Sequence, residues 1–220
     1  MPSGSARTDT SAASSCCSLT DVALAGLSVA DPPERWAALG FTVRDGQVRA
    51  GSVTLTLGIA PQGGGIVGWT LAGLERPGDI GGLATRRIEP RPAPGEDGRA
   101  VDHVDVATPA FDALAAELAA RGLPLRRVTE LRGRRMGFRR LGGPILEVVE
   151  APDAAETAFW GVTFAVPGPA GGAGSLDELC AGHPCVGEPR PAVQPGRRIA
   201  TVDRGAGLST RVAFIDPEPD

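Results

Sequence analysis

One histidine and one glutamate occupy positions that favour a shared metal site. His103 lies in the segment DHVDVAT, and Glu147 lies in PILEVVE further along the chain. Alternation along a strand would turn Val104 and Val106 to one face of a sheet, and His103 with Asp105 to the other. If the two segments are neighbouring strands, His103 and Glu147 meet on that second face. An imidazole and a carboxylate together suit divalent ions such as Zn, Ni, Fe, Mn or Mg.

Other catalytic chemistries have few candidate residues. The chain has two histidines, His103 and His183, and no Gly-x-Ser-x-Gly motif, so a serine or cysteine hydrolase would have few candidate bases. Cys180, His183 and Cys185 form a C-x2-H-x-C cluster, whereas a structural zinc site needs four ligands. We therefore expect these cysteines to be free thiols in a reducing compartment.

Composition excludes several classes of protein. The net charge is -4 and every basic residue apart from histidine is an arginine, spread along the chain, which argues against a nucleic-acid partner. No apolar run approaches the roughly 18 residues that cross a membrane. The small, polar residues 1–18 are typical of a disordered tail and unlike a signal peptide, so we expect a cytoplasmic protein.

Three segments share one pattern of predicted elements. TDVALAGLSV, DHVDVAT and WGVTFAVP each read as a strand, and each is followed by a helical pattern and then by strand patterns. Asp21 precedes Gly40 by as many positions as His103 precedes Gly122, which indicates a repeat. We predict an α+β fold of βαβββ modules. A tail would precede the first module, and a Gly/Pro-rich connector would separate it from the other two: 1–18 tail, 19–74 first module, 75–100 connector, 101–150 second module and 158–217 third module.

The segments VDHVDVATPAFDALAAELAARGLPLRR and MGFRRLGGPILEVVE carry a family resemblance. They resemble the vicinal oxygen chelate family, which includes glyoxalase I, extradiol dioxygenases, and fosfomycin- and bleomycin-resistance proteins. The second module matches most closely and the first by pattern alone. The resemblance implies paired modules curled into a half-open barrel, a divalent metal held by His103 and Glu147, and a small-molecule substrate or ligand. Because three modules cannot pair evenly within one chain, a homodimer in which the third module closes against a partner subunit is one expectation. Glu147 would also move a proton as the catalytic group.

The other modules depart from this ligand pattern. At the position of His103 the first module has Asp21 and the third has Gly161. At the position of Glu147 the first module has about Thr70 and the third about Phe214. Asp21 would serve as a third ligand if the first module pairs with the second.

Further residues are candidates for binding a substrate. Met136 and Phe138 would form an apolar strand face, and Arg139 on the opposite face would hold a carboxylate or phosphate. Trp69 and Trp160 would wall a pocket for a flat ligand. The alternative for these residues is a core position, with Arg139 solvated.

Two functions follow from these observations. The first is a divalent-metal-dependent lyase, isomerase or dioxygenase that acts on a small oxygenated molecule. The second is a metal-free protein that binds and sequesters a small molecule, which the missing third and fourth ligands favour.

Overall fold

A computed structural model describes residues 22–59, 64–90, 98–169, 171–172 and 174–219. Asp21 lies outside these ranges, as do Cys16 and Cys17 of the predicted tail. Within the described ranges the chain forms three α-helices, thirteen strands and one 3-10 helix. None of the described helices is long and apolar enough to span a membrane.

The elements alternate along the chain in the predicted α+β manner. Their bounds are β1 Ala23–Val29, α1 Pro33–Ala38, β2 Gln47–Ala50, β3 Val53–Thr56, β4 Ile66–Ala72, β5 Thr85–Ile88, β6 Ala100–Thr108, α2 Phe111–Ala120, β7 Arg127–Leu131, β8 Arg134–Arg140, β9 Ile145–Glu150, β10 Ala158–Ala165, α3 Leu176–Gly182, β11 Arg190–Pro191, β12 Arg198–Thr201 and β13 Arg211–Ile215, with the 3-10 helix at Arg204–Ala206.

The strands form two sheets, and the larger sheet joins the second and third predicted modules. Its order is β11-β12-β13-β10-β6-β9-β8-β7. The first strands β6 and β10 pair antiparallel at its centre, and each has the last strand of its own module, β9 or β13, as a parallel neighbour on its outer side. The two modules are therefore related by an approximate twofold axis between β6 and β10.

The smaller sheet repeats this plan in reduced form. Its order is β2-β3-β1-β4-β5, with β1 and β4 antiparallel at the centre and β3 and β5 as their parallel neighbours. Sequence analysis took β4 as the last strand of the first module. Since β3 already occupies one edge of β1, β4 pairs along the other edge and begins a second unit that lacks a helix. Its parallel partner β5 lies within residues 75–100.

One irregularity recurs in all four central strands. Each of these strands has one residue that is skipped in the antiparallel register, which indicates a β-bulge. The skipped residues are Ala25 in β1, Val67 in β4, Asp102 in β6 and Trp160 in β10. The residue after each bulge occupies an equivalent place, and these four residues are Gly26, Gly68, His103 and Gly161. Each of the three glycines lies against a backbone carbonyl of the neighbouring parallel strand, which a Cβ atom would approach to about 3 Å.

The core lies between the sheets and their helices. Val104 and Val106 of β6 and Leu146 and Val148 of β9 are fully buried, and α2 packs on β9. Trp36 on α1 is also fully buried. Apolar side chains on this face leave the opposite face of β6 and β9 to the polar residues.

A buried aspartate connects the smaller sheet to the third module. Asp31 is 4% exposed, and its carboxylate accepts hydrogen bonds from the Ser209 backbone N–H at 2.7 Å, the Thr210 backbone N–H at 2.9 Å and the Ser209 hydroxyl. Burial alone would raise the pKa of Asp31, but these hydrogen bonds together hold it below its usual value. The Ser209 hydroxyl oxygen also accepts from the Gly65 backbone N–H.

We expect Asp31→Ala to lower the free energy of unfolding by about 3 kcal/mol, because it leaves several donors without their charged acceptor. Because the pKa is depressed in the folded protein, this contribution is present above the unfolded-state pKa of about 3.9 and is lost as the pH falls through the lower folded value. Urea unfolding at pH 7 measures the loss. Asp153→Ala, at an exposed position, serves as the control. Equal losses in the two variants would contradict a stabilising role for the Asp31 contacts.

Candidate metal centre

Three potential metal ligands converge on one face of the larger sheet. Asp105 of β6 is directly opposite Glu147 of β9 in the parallel pairing, and His103 lies two residues before Asp105 on the same face. One ligand atom from each of these side chains lies within 4.8 Å of the others. Among the described residues this is the only such grouping of three or more, so Cys180, His183 and Cys185 form no comparable cluster.

The bulge at Asp102 holds the histidine ring in a fixed orientation. His103 Nδ1 lies 2.9 Å from Asp102 Oδ1, while Nε2 is directed towards Asp105, 3.8 Å from its Oδ1. Asp102 is fixed in turn by Arg197, whose Nη2 donates to Asp102 Oδ2 at 2.5 Å and whose Nε donates to the Asp216 carbonyl at 2.7 Å. A carboxylate that holds the remote nitrogen of a histidine is a common outer-shell partner of metal-binding histidines.

The two carboxyl groups of the cluster are perturbed in the same direction. Burial raises the pKa of Asp105 to about 6. Burial also raises the pKa of Glu147, to about 7, and the negative charge of Asp105 adds to this effect. Two acids in one poorly hydrated place cannot both ionise cheaply without a cation between them.

For the histidine and its supporting aspartate, hydrogen bonds and neighbouring charges outweigh the effect of burial on the pKa. Burial alone would lower the pKa of His103, but the hydrogen bond to Asp102 and the nearby carboxylates keep it above its usual value. Burial alone would raise the pKa of Asp102, but its bonds to His103 and Arg197 keep it below. Asp102 therefore remains an anion that anchors the ring.

These residues fit a divalent cation. Asp105 Oδ1 is buried and has no hydrogen-bond partner within the described part of the chain, which is costly for a carboxylate oxygen unless an ion is bound to it. Asp102 already occupies His103 Nδ1, so Nε2 is the nitrogen left to bind a metal. One imidazole and two carboxylates would leave further coordination positions open to a substrate.

The third module has small residues at the positions equivalent to His103 and Glu147. By the register, the counterpart of His103 is Gly161, as the sequence indicated, and the counterpart of Glu147 is Ala213, which pairs with Thr163 as Glu147 pairs with Asp105. The predicted counterpart Phe214 is wrong by one residue, since its side chain lies on the other face and is fully buried. Two small residues thus face the cluster across the sheet.

The counterparts predicted in the first module also change. In the register the residue equivalent to His103 is Gly26, which follows the bulge of β1, and the residue equivalent to Glu147 is Thr56 of β3. Thr70 instead lies in β4, opposite Gly26. The smaller sheet therefore contributes no equivalent ligand pair.

A cavity of about 1130 Å³ opens above the cluster. Met136, Phe138 and Trp160 line it, as sequence analysis expected of substrate-binding residues. Phe138 pairs with Glu147 across β8 and β9 and so shares its face, and Trp160 is 48% exposed at its bulge. Arg139 is 7% exposed and pairs with Leu146, so strand alternation places it on the face opposite Phe138, although it too borders the cavity.

Trp69 is not a cavity residue. It is 1% exposed, donates from Nε1 to the Thr85 hydroxyl at 2.7 Å and meets Phe159 edge-on, with ring centroids 5.5 Å apart. It anchors the contact between the two sheets. Of the two positions that the sequence left open for Trp69, a pocket wall and the core, the structure has the core, because β4 lies in the smaller sheet and turns this ring inward.

Sequence reasoning placed Asp105 on the same face as His103 but did not name it as a ligand. The alternation of DHVDVAT carried that signal, since the two residues are separated by one position. It also missed Asp102 and Arg197. Their roles depend on a bulge and on a contact between residues 95 positions apart, and neither leaves a pattern in the sequence.

No protein-family model and no curated protein matches this sequence. Among solved structures, a xylose isomerase-like TIM barrel/4-hydroxyphenylpyruvate dioxygenase fusion protein matches with a TM-score of 0.56 and 10% identity, over 90% of this chain and 49% of that one. The chain has a glyoxalase-like fold. The methylmalonyl-CoA epimerases of Mycobacterium tuberculosis (TM-score 0.43, 15% identity) and Streptomyces coelicolor (TM-score 0.41, 17% identity) each match over 54% of this chain, and over 88% and 97% of their own chains.

The raised pKa of Glu147 predicts a stabilising substitution. Between about pH 4.5 and 7 the folded protein keeps a proton on Glu147 that the unfolded chain releases, so the stability of the metal-free protein falls as the pH rises through this window. We expect Glu147→Gln to exceed wild type by about 2 kcal/mol in free energy of unfolding at pH 8, and by less than half of that at pH 5. Urea unfolding in EDTA measures both values.

The exposed Glu156→Gln is the matched control and should show no such pH dependence. A Glu147→Gln variant less stable than wild type at pH 8 would contradict the burial of an uncompensated charge.

Proposed function

We propose that this protein is a divalent-metal-dependent lyase or isomerase that acts on a small oxygenated molecule. The observation that carries the proposal is the convergence of His103, Asp105 and Glu147 at the floor of a cavity, with a buried oxygen of Asp105 lacking a partner among the described residues. When bound there, the metal would act as a Lewis acid on two neighbouring oxygens of the substrate.

The side chains at this site would have three roles: binding the ion, positioning the imidazole and transferring a proton. His103 Nε2, Asp105 and Glu147 would hold the ion, and Asp102 with Arg197 would keep the imidazole in place. Glu147, adjacent to Asp105 across the paired strands, would also be the group that accepts and returns a proton during the reaction. It would take a proton from a carbon next to the bound oxygens. Returning that proton elsewhere on the substrate gives isomerisation, and passing it to a leaving group gives elimination.

The donor set favours this chemistry over oxygen activation. Non-haem iron oxygenases are typified by two histidines and one carboxylate, whereas this site offers one histidine and two carboxylates. The richer oxygen ligation favours Mg, Mn or Zn, which act without changing redox state in this chemistry.

Metal binding by protein purified without an affinity tag tests the proposal. We expect one equivalent of Mn²⁺ or Zn²⁺ per chain by titration calorimetry, and loss of that binding in His103→Ala. Asp102→Asn keeps every ligand but frees the ring, so its affinity should fall about 10- to 100-fold. His183→Ala removes the other histidine of the chain and should bind metal as wild type does. Circular dichroism would verify that each variant is folded.

Substoichiometric metal that His103→Ala does not change would refute the proposal. The metal-free alternative retains some support from the half-exposed Trp160 and from Phe138, which line the cavity. Melting shifts induced by small aromatic and oxygenated ligands, measured before and after chelator, separate the two. A shift that survives the chelator favours sequestration.

A further inference from the structure

The row of residues that contains the cluster continues onto the third module. Across the central strands, Glu147 pairs with Asp105, Asp105 with Gly161, and Gly161 with Arg211 of β13. Residues paired across strands point to the same face, so the Arg211 side chain leaves the sheet on the side of the cluster. Arg211 also borders the same cavity.

Gly161 has no side chain between the cluster and Arg211, and a Cβ atom there would lie 2.9 Å from the Arg211 carbonyl oxygen. Such an atom would also lie 3.2 Å from the Arg211 Cβ and 3.5 Å from Asp105 Oδ2. Both groups therefore lie around the same missing side chain. A molecule bound at His103, Asp105 and Glu147 would reach Arg211 without crossing another residue of that row.

Arg211 packs against the Trp160 ring and has no acidic partner among the described residues. Its guanidinium carbon lies 4.9 Å from the centre of the Trp160 ring, which holds the cation by its face. Within the part of the chain that the structure describes, no carboxylate pairs with Arg211, whereas Arg135, Arg197 and Arg198 all form ion pairs. An unpaired guanidinium presents a planar fork of donors suited to a carboxylate or phosphate.

The charge of the cavity favours an anion in the same place. Arg139 lies on the opposite face and Arg140 pairs with Glu218, which leaves Arg126, Arg127 and Arg211 against Asp105, Glu130 and Glu147 among the described lining residues. A divalent ion would neutralise two of those three carboxylates, so the arginines would then be in surplus. The chain as a whole carries a net charge of -4, so this surplus of cations is a local feature. A metal-loaded cavity of this kind attracts anionic molecules.

We propose that the substrate carries a second anionic group, a carboxylate or phosphate, and that Arg211, stacked on Trp160, binds it while the vicinal oxygens occupy the metal centre. This rests on the proposed function. The site thus selects diacids, or phosphorylated acids, over neutral-tailed molecules of the same length.

Two 2-hydroxy acids that differ only at the far end test this selection. The Mn²⁺-loaded protein is titrated calorimetrically with 2-hydroxyadipate and with 2-hydroxyhexanoate, which share the chelating oxygens and the number of carbons. A charge-assisted bidentate contact predicts at least ~10-fold tighter binding of the diacid. In Arg211→Gln the preference should shrink to about twofold, while the affinity for 2-hydroxyhexanoate changes little.

Two other arginines serve as comparisons. Arg134→Gln alters an exposed arginine of β8 that does not line the cavity, and it should keep the full preference. Arg127→Gln alters a lining arginine in the same row, but beyond Phe138 on the far side of Glu147, and it should keep most of the preference.

Equal affinity of the two acids for the loaded protein would overturn the inference and leave the metal site standing. A preference that survives Arg211→Gln, or that only Arg127→Gln removes, would overturn the role of Arg211. Failure to bind Mn²⁺ at all would overturn the proposed function and this inference together.

Discussion

Burial of two carboxyl groups beside one imidazole is the constraint around which the larger sheet is organised. Asp105 and Glu147 are adjacent across parallel strands, in a place where water cannot stabilise two negative charges, and burial raises the pKa of both. Such an arrangement is costly for stability unless an ion binds, so it marks a candidate functional position. The fully buried valines and leucines on the other face supply the core that holds the two strands in register.

The support for the cluster comes from residues that never reach the cavity. The bulge at Asp102 inserts one residue into β6, which lets Asp102 contact the ring of His103 although the two are neighbours in sequence. Arg197 fixes Asp102 from the third module and is itself held by the Asp216 carbonyl. The orientation of one imidazole therefore depends on packing between two modules.

Repetition of one strand plan explains why the described residues contain a single cluster of this kind. The four residues that follow the recurring bulge are equivalent, and only His103 carries a ligand, while Gly26, Gly68 and Gly161 carry no side chain. At Gly161 this loss has a consequence, because no side chain separates Asp105 from Arg211 in that row. The third module thus borders the cavity with small residues, and the second module supplies the potential metal ligands.

For Met136, Phe138 and Trp160 the sequence left both a pocket wall and a core position open. It did determine by itself the fold class and the strand face of His103, opposite Val104 and Val106. These follow from alternation and from the repeated order of elements, which are local properties. Only the tertiary structure decided that Asp105 and Glu147 are neighbours, that β4 joins the other edge of β1, and that Trp69 is buried. Strand pairing and bulges depend on contacts between distant residues. A shift of one residue in register turns every side chain to the other face, so only the observed pairing of β10 with β13 shows that Ala213 and not Phe214 faces the site.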